Sequence, residues 1–262
     1  MPDDDDELPP YRAVLVVDAK GFGGNDDVGQ SVLADAIPDV LALAFERAGL
    51  AHVWREALFP HNTGDGMGVG FGTRYLPAVV SRLFDALQDV LAERDVRLRA
   101  HGRGLRLRMR ASLNVGPVRA PDDDGRTSVV GGTVITTHRL LDADVVRDLL
   151  NRSDPDHTFL AVALSERVFE DVVASGYATL PASRLVPAAV RVKEYTGVVH
   201  LYVPNLSGDL LAHGVAARPD ERTGADEPPG SVHNVVRGGV HTGTTIQVGH
   251  LRGGITTHRP GD

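Results

Sequence analysis

Five consecutive apolar residues, Ala13-Val14-Leu15-Val16-Val17, run straight into Asp18 and then into Gly21-Phe22-Gly23. An uninterrupted apolar run of that length predicts a buried strand, and the glycines that follow predict a tight turn. Any fold open to this chain must cover that strand and leave a carboxylate at its end.

The rest of the chain supplies the cover. Between Val28 and Leu50, the residues Val32, Leu33, Ile37, Leu41, Ala44 and Phe45 recur at helical spacing, with an interruption or kink expected at Pro38. His52 to Leu58 and Met67 to Phe71 read as strands flanking the polar turn His61-Asn62-Thr63-Gly64-Asp65-Gly66, which predicts a hairpin. Leu76 to Arg94 is amphipathic and helical, and Leu105 to Val118 alternates as a strand. Val129 to Leu150 opens on two glycines and continues as a helix, Phe159 to Leu164 is a strand, Arg167 to Ala174 a helix, and Ala189 to Val203 a final pair of strands. This order, with a hairpin inside it, favours an α/β (α+β) sandwich of ferredoxin-like type over an all-parallel Rossmann sheet.

Composition narrows the function. The 262 residues are 42% hydrophobic, enough for a substantial core, and a net charge of −8 disfavours a nucleic-acid partner, which needs clustered Lys and Arg. There is no cysteine, so disulfides, thiolate metal sites and Cys nucleophiles are excluded. The start, MPDDDDELPP, is acidic where a secretory leader is basic and then apolar, and no apolar run approaches the roughly 20 residues of a membrane span, so a cytoplasmic location is expected. Residues 1–10 read as a disordered acidic start, 11–204 as the domain, and 205–230, rich in Gly, Pro, Asp and Glu, as a linker. Residues 231–258 form a Gly-rich, β-prone tail.

Asp18 ends a buried strand and Asp65 sits in the hairpin turn that can lie beside it. Two converging carboxylates make an oxygen site for Mg²⁺ or Mn²⁺ together with substrate phosphates. On the residues alone a plainer reading leads, in which Asp18 caps the next segment and Asp65 is the turn residue before Gly66.

Five motifs reverse that order. VLVVDAKGFG (14–23) resembles the first metal-binding strand of class III adenylyl and guanylyl cyclases, and NTGDGMGVGF (62–71) is similar to their second Gly-Asp motif. LRMRASLNVGPV (107–118) resembles the family strand ending in Gly-Pro-Val, VVGGTVITTHRLLDA (129–143) the helix after it, and VRVKEYTGVVHLYVP (190–204) the closing strands. The resemblance covers residues 11 to about 204. It implies a nucleotidyl cyclase fold, two Mg²⁺ or Mn²⁺ ions on Asp18 and Asp65, and a nucleoside triphosphate substrate. It further implies phosphate binding at Gly21, Phe22 and Gly23, and a homodimer whose protomers share each site. The family's transition-state arginine falls on Arg139, its base-selecting residue on His61, and its strand lysine on Lys193. Its transition-state asparagine falls on Ile135, which cannot donate a hydrogen bond. That departure opens an alternative in which a catalytically degenerate cyclase fold senses nucleotide and the tail delivers the output. A third reading, a ferredoxin-like binding module without nucleotide, requires the order of the motifs to be coincidence.

In the tail, Thr245-Ile246-Gln247-Val248-Gly249 resembles the core of RHIM-like and bacterial amyloid signalling motifs. The resemblance implies homotypic stacking with a defence or signalling partner that shares the motif. A small docked hairpin or a loose end is the plainer reading. The tail histidines His233, His241, His250 and His258 match no common metal-ligand spacing.

Overall fold

A computed structural model of the chain describes residues 7–101, 105–119 and 131–216. The tail and its amyloid-like motif, the first six residues, and residues 217–230 of the expected linker lie outside the described residues.

The strand expected around Ala13–Val17 is β1, Tyr11–Ala19. It is followed by α1 (Asp27–Arg47), α2 (Ala51–Arg55), the hairpin β2 (Leu58–Asn62) and β3 (Gly66–Gly72), α3 (Leu76–His101) and β4 (Met109–Pro117). Next come α4 (Gly132–Leu141), α5 (Asp144–Arg152), β5 (Leu160–Ser165), α6 (Glu166–Val168) continued by a π turn at Phe169–Ala174, β6 (Val186–Val192), β7 (Tyr195–Tyr202) and α7 (Asp209–His213). The seven strands among the described residues form one sheet in the order β2-β3-β1-β4-β5-β7-β6, in which the β4–β5 pair is parallel and the other neighbours are antiparallel. The first four, with α1 and α3 as crossovers, make the expected ferredoxin-like core. Strands β5, β7 and β6 extend it beyond β4.

Because side chains alternate across a strand, β1 sends Leu15 and Val17 to one face and Val14 and Val16 to the other, and both faces are covered. On the first face, Leu33, Ile37 and Phe45 of α1 and Leu83, Leu87 and Leu91 of α3 are all buried. Each such side chain contributes about 1.5–3 kcal/mol from apolar area removed from water. On the second face, α4 brings Leu141 against Val14 and Val16, while α5 packs Val146, Leu149 and Leu150 against Ala161, Ala163, Val199 and Leu201.

Several expectations need correction. The stretch His52–Leu58 is mostly helical: Gly49, at φ 71°, ends the preceding helix, and Leu50, Val53 and Trp54 then fold back at helical spacing, Trp54 lying 5.3 Å from the Phe45 ring. The first hairpin strand starts instead at Leu58. Helix α1 is not interrupted at Pro38; it is capped by Asp26, whose carboxylate accepts from the Gly29 amide at 2.8 Å, and continues to Arg47. The single helix expected through Leu150 is two, since α4 covers β1 and β4 whereas α5 covers β5, and the extended backbone at Ala143 makes the change of direction. Helix α1 is also long and apolar enough to cross a membrane by length and mean hydropathy (1.4), contrary to the sequence reading, yet Leu33, Ile37, Leu41 and Phe45 are core residues here. Finally, residues 205–216 are not linker: they carry α7, whose Leu210 is buried with Val146 and Leu149.

Candidate functional site

The β1–β3 register sets Asp18 opposite Gly66, so Asp65 falls just beyond the pair. Gly66 is required there, because a Cβ would stand 2.3 Å from the Val17 carbonyl oxygen. The Ala19 amide donates to the Asp65 carbonyl at 2.7 Å and closes the end of the ladder. Within the turn, Asn62 Oδ1 accepts from the Gly64 amide at 2.7 Å, and the Thr63 hydroxyl donates to Asp65 Oδ1 at 3.1 Å. Asp65 is exposed, and its charge is close enough to act on Asp18. The two expected carboxylates therefore meet at one end of adjacent strands.

On its other side Asp18 meets Arg110 of β4, directly opposite in register. Arg110 Nε donates to Asp18 Oδ1 at 2.8 Å and Nη2 donates to Oδ2, so the guanidinium fork spans the carboxylate. The two side chains are 15% and 13% exposed. Burial raises the Asp18 carboxyl above the ordinary carboxylate value; Arg110 opposes that rise, while Asp65 and Asp142 add to it.

The cationic side of the site is anchored behind this pair. Arg108 is buried, with Nε donating to the Thr158 carbonyl, Nη1 to the Leu150 carbonyl and Nη2 to Ser153 Oγ. Lys20 Nζ donates to the same Leu150 carbonyl at 3.1 Å, and burial, with Arg108 and Arg110 nearby, lowers its pKa. After Lys20 the chain turns through Gly21 at φ 72°, a left-handed conformation glycine adopts without strain. The amides of Gly24 and Asn25 close the turn on the carbonyls of Gly21 and Phe22, the Phe22 ring packs on the core, and Gly21 and Gly23 stay exposed.

The other expected residues are spread over α4, β2 and the β6–β7 turn. Arg139 lies near the end of α4, where Nη2 donates to Glu194 Oε2 at 2.5 Å. Lys193, expected within a strand, occupies instead the turn between β6 and β7, exposed and at φ 52°. Ile135 is half exposed on α4. His61 is exposed on β2 opposite Gly68, near enough to His138 of α4 for their charges to interact; burial lowers the His138 pKa. The end of α4 that carries Arg139 also reaches Arg110, whose Nη1 donates to the Leu141 carbonyl at 3.4 Å.

Arg110 and Glu194 were not among the site residues expected from the sequence. Arg110 had a signal: a carboxylate ending a buried strand calls for a counter-charge on a neighbouring strand. Glu194 had none beyond its place beside Lys193.

Among the described residues no group of three or more His, Asp or Glu gathers into a ready metal cage. Two carboxylates that rely on substrate phosphates to complete the shell are still a fit for Mg²⁺ or Mn²⁺. Their fit is qualified by Arg110, which lies on both oxygens of Asp18. An open cavity of about 410 Å³, lined by Asn114, Thr136, Ser165, Glu166 and Tyr195, lies further along β4 and includes none of the expected site residues.

No family model and no curated protein matches the sequence. Among solved structures, a bacterial light-regulated adenylyl cyclase superposes with a TM-score of 0.53 at 15% identity over 79% of this chain, which spans 56% of that one. The guanylyl cyclase Cya2 gives 0.47 at 18% identity, covering 81% of this chain and 95% of that one. An adenylate/guanylate cyclase/hydrolase from Silicibacter pomeroyi gives 0.48 at 19% identity, covering 76% and 98%. The described domain thus shares the fold of that light-regulated adenylyl cyclase's catalytic region.

Proposed function

We propose that the domain is a nucleotidyl cyclase that converts a nucleoside triphosphate to a 3′,5′-cyclic mononucleotide and pyrophosphate. The observation that carries this reading is the meeting of Asp18 and Asp65 at one end of β1 and β3 in a sheet shared with an adenylyl cyclase. In the reaction the ribose 3′ oxygen bonds to the α-phosphorus, the bond to the bridging oxygen of pyrophosphate breaks, and the 3′ proton is lost.

Asp18 and Asp65 would hold two Mg²⁺ or Mn²⁺ ions. Bound there, such ions supply the charge that neutralises the phosphates and eases ionisation of the 3′ hydroxyl. The exposed turn at Gly21, Phe22 and Gly23 receives phosphate oxygens on backbone amides. Arg139 stabilises charge developing on the α-phosphate, and Lys193 adds a mobile positive charge at the β6–β7 turn. His61 faces the base. Ile135 offers no hydrogen bond, so the rate rests on Arg139 and the cations. In the cyclase arrangement these groups come from two chains, and a homodimer with two equivalent sites is part of the proposal.

The test is direct. Purified protein incubated with each of the four nucleoside triphosphates and Mn²⁺ should release pyrophosphate and a cyclic product from at least one, and Asp65→Ala should stop it. Absence of product from all four, or full activity in Asp65→Ala, overturns the reading.

For the tail we propose homotypic assembly with a signalling or defence partner, on the strength of Thr245–Gly249. A peptide of residues 231–258 should form fibres that bind thioflavin; a persistently monomeric peptide rejects it.

A further inference from the structure

Asp18 has two claimants. A divalent cation takes carboxylate oxygens at roughly 2.0–2.6 Å, and the Arg110 fork already occupies one lone pair on each Asp18 oxygen. A cation on the remaining lone pairs would stand close to the guanidinium, and the two like charges repel within a mostly covered site, so each weakens the other's hold on Asp18. Arg110 has a second place to go. Its Nη1 already lies 3.4 Å from the Leu141 carbonyl, at the last turn of α4. The C-terminal end of a helix favours a cation, and the Asp142 carboxylate is near enough to act on the same site.

We propose that Arg110 is the resident counter-ion of the cation site: it holds Asp18 when no cation is bound and shifts toward the end of α4 when one binds, so that cation affinity is set by competition with Arg110. The inference rests on the reading that Asp18 and Asp65 hold a divalent ion. It adds a coupling that reading lacks. Helix α4 also carries Arg139 and Ile135, so loading the carboxylates moves a positive charge to the end of the helix that bears the phosphate-facing arginine. Arg110 acts through Asp18 and is a positioning residue.

The experiment is Mn²⁺ binding to the full-length chain without nucleotide, followed by loss of the free Mn²⁺ electron paramagnetic resonance signal, with circular dichroism recorded on each variant. Arg110→Gln removes the competitor and should bind Mn²⁺ about tenfold tighter. That gain should vanish in the double variant Arg110→Gln with Asp18→Asn. Arg110→Lys keeps the charge but not the fork, and should show a smaller gain. The lysine variant also decides the matter if Arg110→Gln fails to fold.

Gains in both variants that depend on Asp18 support the competition. Wild-type affinity, or weaker binding, in Arg110→Lys and in any folded Arg110→Gln overturns it. A gain confined to Arg110→Gln, with Arg110→Lys like wild type, assigns the effect to net charge and overturns it as well. In those cases, wild-type binding abolished by Asp65→Asn leaves the cation site itself standing. No Mn²⁺ binding by any chain removes both the competition and the cation site.

Discussion

Arg139 on α4 donates to Glu194 Oε2 at 2.5 Å, a contact between residues 55 apart that fastens the helix to the β6–β7 turn. The arginine proposed to meet the α-phosphate is therefore engaged by a carboxylate of the same chain. The Glu194 side chain is 77% exposed, so the pair adds little to stability, under about 1 kcal/mol.

Removing that carboxylate should help substrate more than it harms the fold. For Glu194→Gln, the KM for the nucleoside triphosphate should fall by about three- to tenfold with little change in melting temperature. Initial-rate kinetics on the folded variant check this; an unchanged or higher KM would show that Glu194 is no competitor of the phosphates.

Ile135 is half exposed, so replacing it leaves no core cavity. Ile135→Asn restores a hydrogen-bond donor on α4 and should raise kcat by about 10²-fold while KM moves little. A kcat equal to that of the parent chain argues that position 135 lies away from the reacting phosphate.

Gly66 sets how closely β3 approaches β1. Gly66→Ala puts a methyl group 2.3 Å from the Val17 carbonyl, which is backbone and cannot swing aside. The cost should be about 2–3 kcal/mol in denaturant unfolding, with weaker Mn²⁺ binding because Asp65 is displaced from Asp18. Unaltered stability would mean the hairpin shifts at no cost.

His200 of β7 gives the fold a pH dependence. It is buried, stacked on Phe169 with ring centroids 3.7 Å apart, and its buried Nδ1 has no hydrogen-bond partner among the described residues. Burial lowers its pKa, with Glu166 and Glu170 opposing. An unfolded histidine takes a proton near pH 6.5, but the folded one only at lower pH. In that window the unfolded chain binds more protons, so stability falls as pH falls. Between about pH 7.5 and 5.5 the parent chain should lose stability relative to His200→Phe. His138, shifted the same way, and Asp18, shifted upward, are present in both chains and cancel from the difference. Parallel stability curves for the two chains would reject the assignment.

Much of this architecture was legible where one residue pattern had one physical meaning. Val14 to Val17 are apolar without alternation and sit between two covered faces; Asp65-Gly66 marks a turn and makes one. The pattern misled where packing decided. His52, Val53 and Trp54 look like strand residues, but Leu50, Val53 and Trp54 close on the core as a helical turn. No glycine or proline announces the turn at Ala143, because it exists only to carry the chain from β4 to β5. The arginines of LRLRMRASL alternate as a solvent face would, yet Arg108 and Arg110 lie under α4 and α5, satisfied by carbonyls, Ser153 and Asp18. Of the expected site residues, Asp18 and Asp65 meet at one strand end, while Arg139 and Lys193 gather at the β6–β7 turn.

The pairing of Asp18 with Arg110 also fixes an order of events during synthesis. The two residues are 92 positions apart, so β1 leaves the ribosome long before the strand that neutralises its carboxylate. Until β4 arrives, β1 carries an open edge of five apolar residues beside β3, the kind of edge that recruits other chains. A charged Asp18 at the end of such an edge opposes pairing with another chain. A folding intermediate stalled before β4 docks should therefore aggregate more readily when that carboxylate is replaced by an apolar residue.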